Sequence, residues 1–464
     1  MEMLSVTISG KKLIFPEGKK FQSNKIDLLT GPNGSGKTRT LTALAENFKN
    51  HDNYSRNPKR TIDDVHVHLK GESGPQKVIA QTYSPFSRFP SQIPDHLYPA
   101  DSLTSIYAEG VRRKRFYNCL GLFKSNPAII NNISKRALET SIFNISESPE
   151  CAASIAGLMP NIGLQDRFIL RYRSLREYNE FLEAYRYGGV KAIIERLTKF
   201  REFSRRDPIA RELHHGDPSQ FSELLAEAFN IIEPMRVGDR VYEAEFGSHS
   251  RKSSYDYAIV QALSLFRQLN MLELVSCSLT DFSDYSFDVA QASSGQQQMI
   301  CSIMELASSL ENDALVLIDE PELSLHPKWQ QIYLDHLHAA LEPFRGCHVL
   351  LATHSPLLVQ RGLSSGVGVI QLGADHSLPA VSKTVSVEGT LLDVFDTPVY
   401  DSVYLANQIL AAIARAEDGG MKEKNVSRYE LKRLENIYAQ SPADNQKSVS
   451  LIRQALQLID SEGQ

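Results

Sequence analysis

One segment near the start of the chain constrains the fold more than any other feature. Residues 31–38 match the phosphate-binding loop pattern GxxxxGK[ST] in full. Glycines let the backbone curl until successive N–H groups point at phosphate oxygens, while the lysine adds a cation and the threonine offers a hydroxyl to Mg²⁺. Such a loop needs a strand before it and a helix after it, and residues 26–29 and 39–48 have these patterns. The loop comprises Gly31, Pro32, Asn33, Gly34, Ser35, Gly36, Lys37 and Thr38.

Two carboxylates follow an apolar run later in the chain. Residues 314–318 are hydrophobic without a break, as in a strand that is buried on both faces of a parallel sheet. Asp319 and Glu320 come next, so Asp319 is the predicted magnesium ligand and Glu320 the predicted general base. A carboxylate pair is also a common cap of a strand end, and the catalytic interpretation depends on the phosphate-binding loop.

Two further segments offer groups to a terminal phosphate. His354 follows the apolar run 349–352, where its ring would donate a hydrogen bond to the γ-phosphate, although a histidine in this position often has a structural role. Ser293, Gly295 and Gln296 precede a predicted helix over residues 299–310, and the N–H groups of a helix start attract anions. An ordinary helix N-cap is the alternative. If this helix start binds phosphate, the economical arrangement is a two-fold dimer that buries two ATP molecules.

The order of these motifs resembles that of the ABC ATPases of the OLD, RecF and SMC class. The resemblance covers about half of the chain and implies that Ser293 and Gly295 act as a signature on the nucleotide of a second copy. It also implies that residues 324–327 touch the opposite ATPase head, and that Gln81 links magnesium to the helical lobe. Ala292 and Ser294 depart from the usual LSGGQ signature, which argues against a transporter more than against an ATPase.

Within this class, the short insertion and small tail resemble the ATPase subunits of bacterial anti-phage systems such as Septu, the retron-linked systems and PARIS. The resemblance implies an ATP hydrolase that uses ATP and Mg²⁺. It would form a homodimer or a higher oligomer of dimers, and it would control a separate effector such as a nuclease or toxin.

The expected fold is α/β: a P-loop ATPase head of the ABC type, with a mixed β lobe and a parallel-sheet core. Residues 1–96 and 286–385 are predicted to form the head, with strands at 4–8, 65–69 and 77–80 in a small β lobe. Residues 97–285 are predicted to form a mainly helical insertion, and residues 386–464 a helical tail.

Composition excludes several classes of protein. A hydrophobic content of 42% and a charged content of 23% fit a globular chain with a large core. The five cysteines are scattered without a CxxC spacing, which argues against a disulfide framework and a zinc knuckle and favours a reducing compartment. No apolar run approaches the roughly 18 to 20 residues that cross a bilayer. We therefore expect a cytoplasmic protein without a membrane partner.

The formal net charge of −5 restricts nucleic-acid binding to a local basic patch. Residues 165–206 contain eleven Lys or Arg against six Asp or Glu, and residues 112–115 form a second basic cluster. The longer segment is either a solvated helical face with i,i+4 ion pairs or a surface for DNA or RNA phosphates.

Two functions fit these observations. The first is an anti-phage ATPase that controls a partner effector, and the second is a DNA-repair ATPase of the RecF kind that binds DNA directly. In both, ATP closes the dimer because it binds the closed state better than the open state. Hydrolysis then sets how long the dimer stays closed. The long stretch between Lys37 and Ser293 leaves room for an inserted domain that a simple transport motor would not need.

Overall fold

The computed structural model describes most of the chain in several stretches, which divide into two compact units. The first unit comprises Met1–Phe15, Lys20–Ile26 and Thr38–Leu351, and the second comprises Pro16–Lys19, Asp27–Lys37 and Ala352–Gln464. The described residues are 2–54, 65–70, 74–84, 88–90, 116–121, 137–138, 141–142, 144, 155, 157–203, 218–247, 253–269, 271–373, 386–440 and 445–461.

The strands belong to three sheets, with strand orders β2-β1-β4, β11-β10-β7-β9-β8 and β14-β3-β13-β12-β5-β6. The strands are β1 (Met3–Ile8), β2 (Lys11–Ile14), β3 (Lys25–Thr30), β4 (Val65–Leu69), β5 (Lys77–Thr82), β6 (Tyr117–Gly121), β7 (Leu164–Ser174), β8 (Arg236–Gly238), β9 (Val241–Gly247), β10 (Leu272–Asp281), β11 (Ser286–Asp288), β12 (Ala314–Asp319), β13 (His348–Ala352) and β14 (Gly368–Gln371).

The helices connect these strands and form the C-terminal tail. The second of them breaks at Gly189, whose φ of 64° lies outside the helical region. The helices are α1 (Lys37–Tyr54), α2 (Arg176–Phe203), α3 (Pro218–Ile232), α4 (Ser253–Gln268), α5 (Ser294–Ser309), α6 (Pro327–Leu341), α7 (Pro356–Ser365), α8 (Val387–Asp393), α9 (Val403–Asp418), α10 (Met421–Ala439) and α11 (Gln446–Ser461).

The six-stranded sheet carries the motifs found in the sequence. Its pairs β12·β5, β5·β6 and β14·β3 are parallel, and β3, β5, β12 and β13 are buried along their whole length. Burial on both faces explains why these strands are apolar without alternation. The segment β12-α6-β13 is the predicted βαβ unit, so the expectation of an α/β fold with a parallel core is confirmed.

The small three-stranded sheet differs from the predicted β lobe in one strand. β1 pairs antiparallel with β2 and β4 as expected. The third predicted strand, β5, instead pairs in parallel with β12 in the large sheet. The reason is visible in the burial: β4 alternates between half-buried and exposed side chains, whereas every residue of β5 is buried.

The predicted mainly helical insertion contains four strands of a five-stranded antiparallel sheet that the sequence interpretation missed, and the fifth strand, β11, begins at Ser286. β7, at its centre, alternates buried apolar residues with exposed arginines, as a half-buried strand does. The charge pattern alone predicts a helix here, because the charges of β7 continue without a break into α2. Among the described residues, the insertion also contains the helices α2, α3 and α4.

The C-terminal tail is helical, as expected. It contains the helices α8, α9, α10 and α11. Apolar residues from these helices form one core, which includes Leu405, Ile409, Leu431, Tyr438 and Ile452. The boundaries of the four predicted domains remain a prediction.

None of the helices described is long and apolar enough to span a bilayer. Among the described residues, Cys119, Cys277, Cys301 and Cys347 are buried and form no disulfide. Burial raises the pKa of the Cys347 thiol to about 11. Desolvation of this kind keeps a thiol protonated and unreactive at neutral pH.

Candidate functional site

The phosphate-binding loop runs from the end of β3 to the start of α1, as its pattern predicts. Gly31, Gly34 and Gly36 have φ values of 141°, 80° and 101°, which residues with a Cβ atom rarely adopt. A Cβ on Gly31 would also lie 2.3 Å from the Leu372 carbonyl oxygen. Lys37 Nζ donates to the carbonyl oxygens of Gly31 at 2.7 Å and Pro32 at 3.1 Å. The loop therefore curls around its own ammonium group.

His354 lies in the same unit as this loop. Thr353, the residue before it, donates its backbone N–H to the Leu29 carbonyl oxygen at 3.0 Å, which holds the end of β13 beside the end of β3. Ser355, the residue after it, caps α7 by accepting from the Leu358 N–H. His354 is half-buried between these two anchors. Its placement beside the strand that leads into the loop suits a group that contacts a bound phosphate.

The last residue of the loop pattern reaches the predicted magnesium ligand. The Thr38 hydroxyl donates to Asp319 Oδ1 at 3.0 Å, across 281 residues of sequence. Asp319 is the last residue of β12 and is only 3% exposed. The fold thus brings a hydroxyl oxygen and a carboxylate oxygen together at one strand end. These hard oxygen donors fit Mg²⁺, which binds through one or two carboxylates together with substrate phosphates.

Glu320 begins a tight turn after β12. Its φ of 49° is left-handed, and Ser324 in the same turn has a φ of 66°. Left-handed backbone at residues other than glycine is costly and concentrates at functional sites. The Glu320 carbonyl accepts from the Leu323 N–H at 3.3 Å, which closes the turn. The backbone of Glu320 is therefore held in an unusual conformation directly after Asp319, and its side chain is half-buried.

The predicted signature is the N-terminus of α5. Ser293 is the N-cap: its hydroxyl accepts from the Gln296 N–H, and the Gln296 side chain accepts from the Ser293 N–H at 3.1 Å. This capping box explains why the helix starts here, five residues earlier than expected. Ser293 and Gln296 are exposed. The local geometry fits a helix cap, and the exposed position leaves this helix end accessible to a second molecule.

Gln81 lies near the end of β5 and contacts α5. Its Nε2 donates to the Ser302 carbonyl oxygen at 2.7 Å, and within the described part of the chain its buried Oε1 has no hydrogen-bond partner. In the β5·β12 register, Thr82 pairs with Asp319 and Gln81 with Ile318. Successive residues of a strand face opposite sides, so Gln81 leaves the sheet on the face opposite to Asp319. The structure therefore ties Gln81 to α5, and its magnesium role remains a prediction.

Several arginines of the basic segment pair with glutamates. On β7, Arg167 Nε lies 2.6 Å from Glu245 and Arg171 Nε lies 2.6 Å from Glu243, both on β9. On α2, Arg186 contacts Glu233 at 2.5 Å. These ion pairs neutralise part of the local positive charge. They fit the alternative of a solvated, ion-paired face, although part of that face is strand β7 and not a helix. Arg205, Arg206 and residues 112–115 lie outside the described residues.

One residue that the sequence interpretation missed is Gln298, on the first turns of α5. Its Nε2 donates to the Pro321 carbonyl oxygen at 3.0 Å, one residue after Glu320. The run of three glutamines after Gly295 was a visible signal, but nothing in the sequence showed which of them faces the carboxylate turn.

Comparisons with known proteins place part of the chain beside a described family. Residues 264–360 match a family model described as "AAA domain, putative AbiEii toxin, Type IV TA system". This span includes Ser293, Asp319, Glu320 and His354.

Two curated relatives are similar to the chain. "Retron Ec83 probable ATPase" from Escherichia coli is 22% identical over 386 residues, which cover 76% of this chain and 68% of that protein. "Retron Vc95 probable ATPase" from Vibrio cholerae serotype O1 biovar El Tor is 29% identical over 143 residues, which cover 27% of this chain and 26% of that protein. The expected resemblance to retron-linked ATPases is thereby confirmed: the chain is similar to retron-associated probable ATPases and carries a segment that matches an AAA-domain model.

Proposed function

We propose that this chain hydrolyses ATP with the help of Mg²⁺. The observation that carries the proposal is the hydrogen bond between Thr38 and Asp319, because it joins the end of a phosphate-binding loop to a buried carboxylate at a strand end. The names of the two relatives, each a probable ATPase, support the same activity. In this proposal the loop N–H groups and Lys37 bind the phosphates, while Thr38 and Asp319 hold the cation. Bound Mg²⁺ would neutralise charge on the phosphate oxygens.

Glu320 is the proposed general base. It follows Asp319 directly, and its constrained backbone fixes where its carboxylate begins. The carboxylate would accept the proton of the water that attacks the γ-phosphate. His354 would donate a hydrogen bond to the same phosphate and lose that contact after hydrolysis.

A Glu320→Gln variant tests this role. We expect ATP affinity within about twofold of the wild type and a turnover lowered by roughly 100-fold or more, because the amide cannot accept the proton. Phosphate release and ATP binding would be measured on the same preparation. Rapid turnover by Glu320→Gln would contradict the assignment of Glu320 as base.

We further propose that two copies close around nucleotide, with Ser293 and Gly295 of one copy contacting the ATP held by the other. The exposed N-terminus of α5 supports this idea, since its N–H groups and positive dipole end favour an anion. The test is the molar mass of Glu320→Gln by light scattering with and without ATP. We expect doubling with ATP, and no doubling for a Ser293→Arg variant of it. An unchanged mass for both proteins would contradict the dimer.

The proposed biological role is control of a separate effector, such as a nuclease or toxin, in anti-phage defence. Support comes from the retron systems named in the relatives. Co-purification of the full chain with products of neighbouring genes, with ATP and with ADP, tests this role. A partner retained in one nucleotide state and released in the other is the expected result. Equal retention in both states would contradict control by nucleotide.

A further inference from the structure

The turn that carries Glu320 needs support from its surroundings. Glu320 and Ser324 both have left-handed backbone, although neither is a glycine. Such residues keep this conformation only where neighbouring structure holds them in place. Within the turn, the Leu323 N–H donates to the Glu320 carbonyl oxygen and the Leu325 N–H donates to the Glu322 carbonyl oxygen. These local bonds close the turn but do not anchor it to another element.

Helix α5 supplies such an anchor at two points. The Gln298 Nε2 donates to the Pro321 carbonyl oxygen at 3.0 Å, and Pro321 is buried. At the second point the backbone itself is close: a Cβ on Gly295 would lie 2.7 Å from the Ser324 carbonyl oxygen. Gly295 therefore permits a close approach that other residues would prevent. The two contacts lie at opposite ends of the turn, so α5 holds it on both sides.

We infer that Gln298 is a positioning residue, which sets the Glu320 carboxylate by holding the next carbonyl group. The inference rests on the proposed ATP hydrolysis and assigns a role in it to a residue outside the phosphate loop, the carboxylate pair and the helix tip. Gln298 is one turn along α5 from Ser293 and Gly295. The same helix that presents the proposed signature to a second copy thus grips the proposed base of its own copy.

A Gln298→Met variant tests the inference, because methionine keeps the length and helix propensity of glutamine but cannot donate to Pro321. We expect kcat for ATP to fall roughly tenfold, as for a displaced catalytic group, while KM for ATP stays within about twofold. The control is Gln165→Met. Gln165 also donates its amide to a backbone carbonyl, that of Asp281 at 2.8 Å, in the antiparallel sheet, and its loss should leave kcat unchanged.

A double-mutant comparison separates positioning from a general structural role. If Gln298 acts through Glu320, adding Gln298→Met to Glu320→Gln leaves the residual single-turnover rate unchanged. A further tenfold loss in that background would overturn the inference. If Gln298→Met strongly lowers the melting temperature, Gln298→Ala replaces it in the same comparison. The single-turnover rates are then measured at a temperature below the melting transition of that variant.

The two proposals fail in different ways. If Lys37→Ala hydrolysed ATP as fast as the wild type, the proposed function itself would be contradicted. If Lys37→Ala were inactive but Gln298→Met kept the wild-type kcat, ATP hydrolysis would stand and the role of Gln298 would be excluded.

Discussion

The two large sheets of this protein use polar residues in opposite ways. In the six-stranded parallel sheet, the strands β3, β12 and β13 are buried along their length, and the polar groups of interest follow at or just past the strand ends. In the five-stranded antiparallel sheet, arginines and glutamates lie along the strands, where Arg167 and Arg171 pair with Glu245 and Glu243.

The difference shows where chemistry can occur. A polar group at the carboxyl end of a buried parallel strand lies at the edge of the sheet, where a substrate phosphate or a cation can reach it. A charge along an exposed strand face lies beside cross-strand partners and is satisfied by them. We therefore propose that the first sheet contacts the substrate and that the charged face of the second sheet has a structural role.

The largest effect is expected from Lys37→Ala. Lys37 is 5% exposed and its ammonium group organises the loop through the Gly31 and Pro32 carbonyl oxygens. Loss of this cation should weaken ATP binding by about 100-fold or more, since charge-assisted contacts to phosphate are strong. Calorimetric titration with ATP measures it. If Lys37→Ala bound ATP as tightly as the wild type, the proposed substrate contact at the parallel sheet would be contradicted.

A smaller effect is expected from His354→Ala, at the next strand end. The ring should matter more for the γ-phosphate than for the rest of the nucleotide. We predict a turnover lowered roughly 10-fold to 100-fold, with ADP affinity unchanged within about twofold. Equal losses in ATP turnover and ADP affinity would show that His354 supports the loop generally.

A buried histidine on a helix, away from any strand end, provides a contrast with His354. His336 on α6 is 2% exposed, and among the described residues neither ring nitrogen has a hydrogen-bond partner. Burial lowers its pKa, and the nearby Asp335 opposes the shift only in part. The folded state therefore favours the neutral ring. This contribution is fully present above the ordinary histidine pKa of about 6.5 and is lost as the pH falls through the lower folded value.

His336→Leu should remove this pH dependence. We expect the variant to lose less free energy of unfolding than the wild type between about pH 7 and pH 5, by on the order of 1 kcal/mol. Denaturant titrations at several pH values measure it, and His66→Gln, at an exposed position of β4, is the control. An identical pH profile for wild type and His336→Leu would assign the acid sensitivity to other groups.

The smallest effect is expected from reversing charges on the antiparallel sheet. In the double variant Arg171→Glu with Arg173→Glu, new carboxylates face Glu243 and Glu273 across the sheet. We predict a loss of about 1 kcal/mol in the free energy of unfolding, because exposed ion pairs contribute little. DNA affinity should change by less than about twofold. A salt-dependent loss of DNA binding would favour a DNA-repair ATPase that binds DNA directly.

The sequence predicted the parts of the fold that have a strict pattern. The loop at residues 31–38 and the unbroken apolar strands β12 and β13 were found because each depends on local chemistry. The pattern at residues 299–310 also predicts helix α5, but not its start at Ser294, which the capping box of Ser293 and Gln296 sets.

Other parts depend on long-range pairing and were missed. Nothing near Lys77 shows that β5 lies beside β12 rather than β4. The strand character of β7 was hidden because its arginines resemble a charged helix face. The contact between Gln298 and Pro321 joins residues that are 23 positions apart, and only the packing of α5 reveals it.

The most direct measurement concerns the pair Thr38 and Asp319, since the proposed cation site depends on it. ATP affinity would be measured by calorimetry with Mg²⁺ and with EDTA, for the wild type and for Asp319→Asn. We predict that Mg²⁺ tightens ATP binding to the wild type by roughly tenfold or more, and that Asp319→Asn loses this gain while binding ATP in EDTA as before. The same gain from Mg²⁺ in both proteins would contradict the role of this carboxylate.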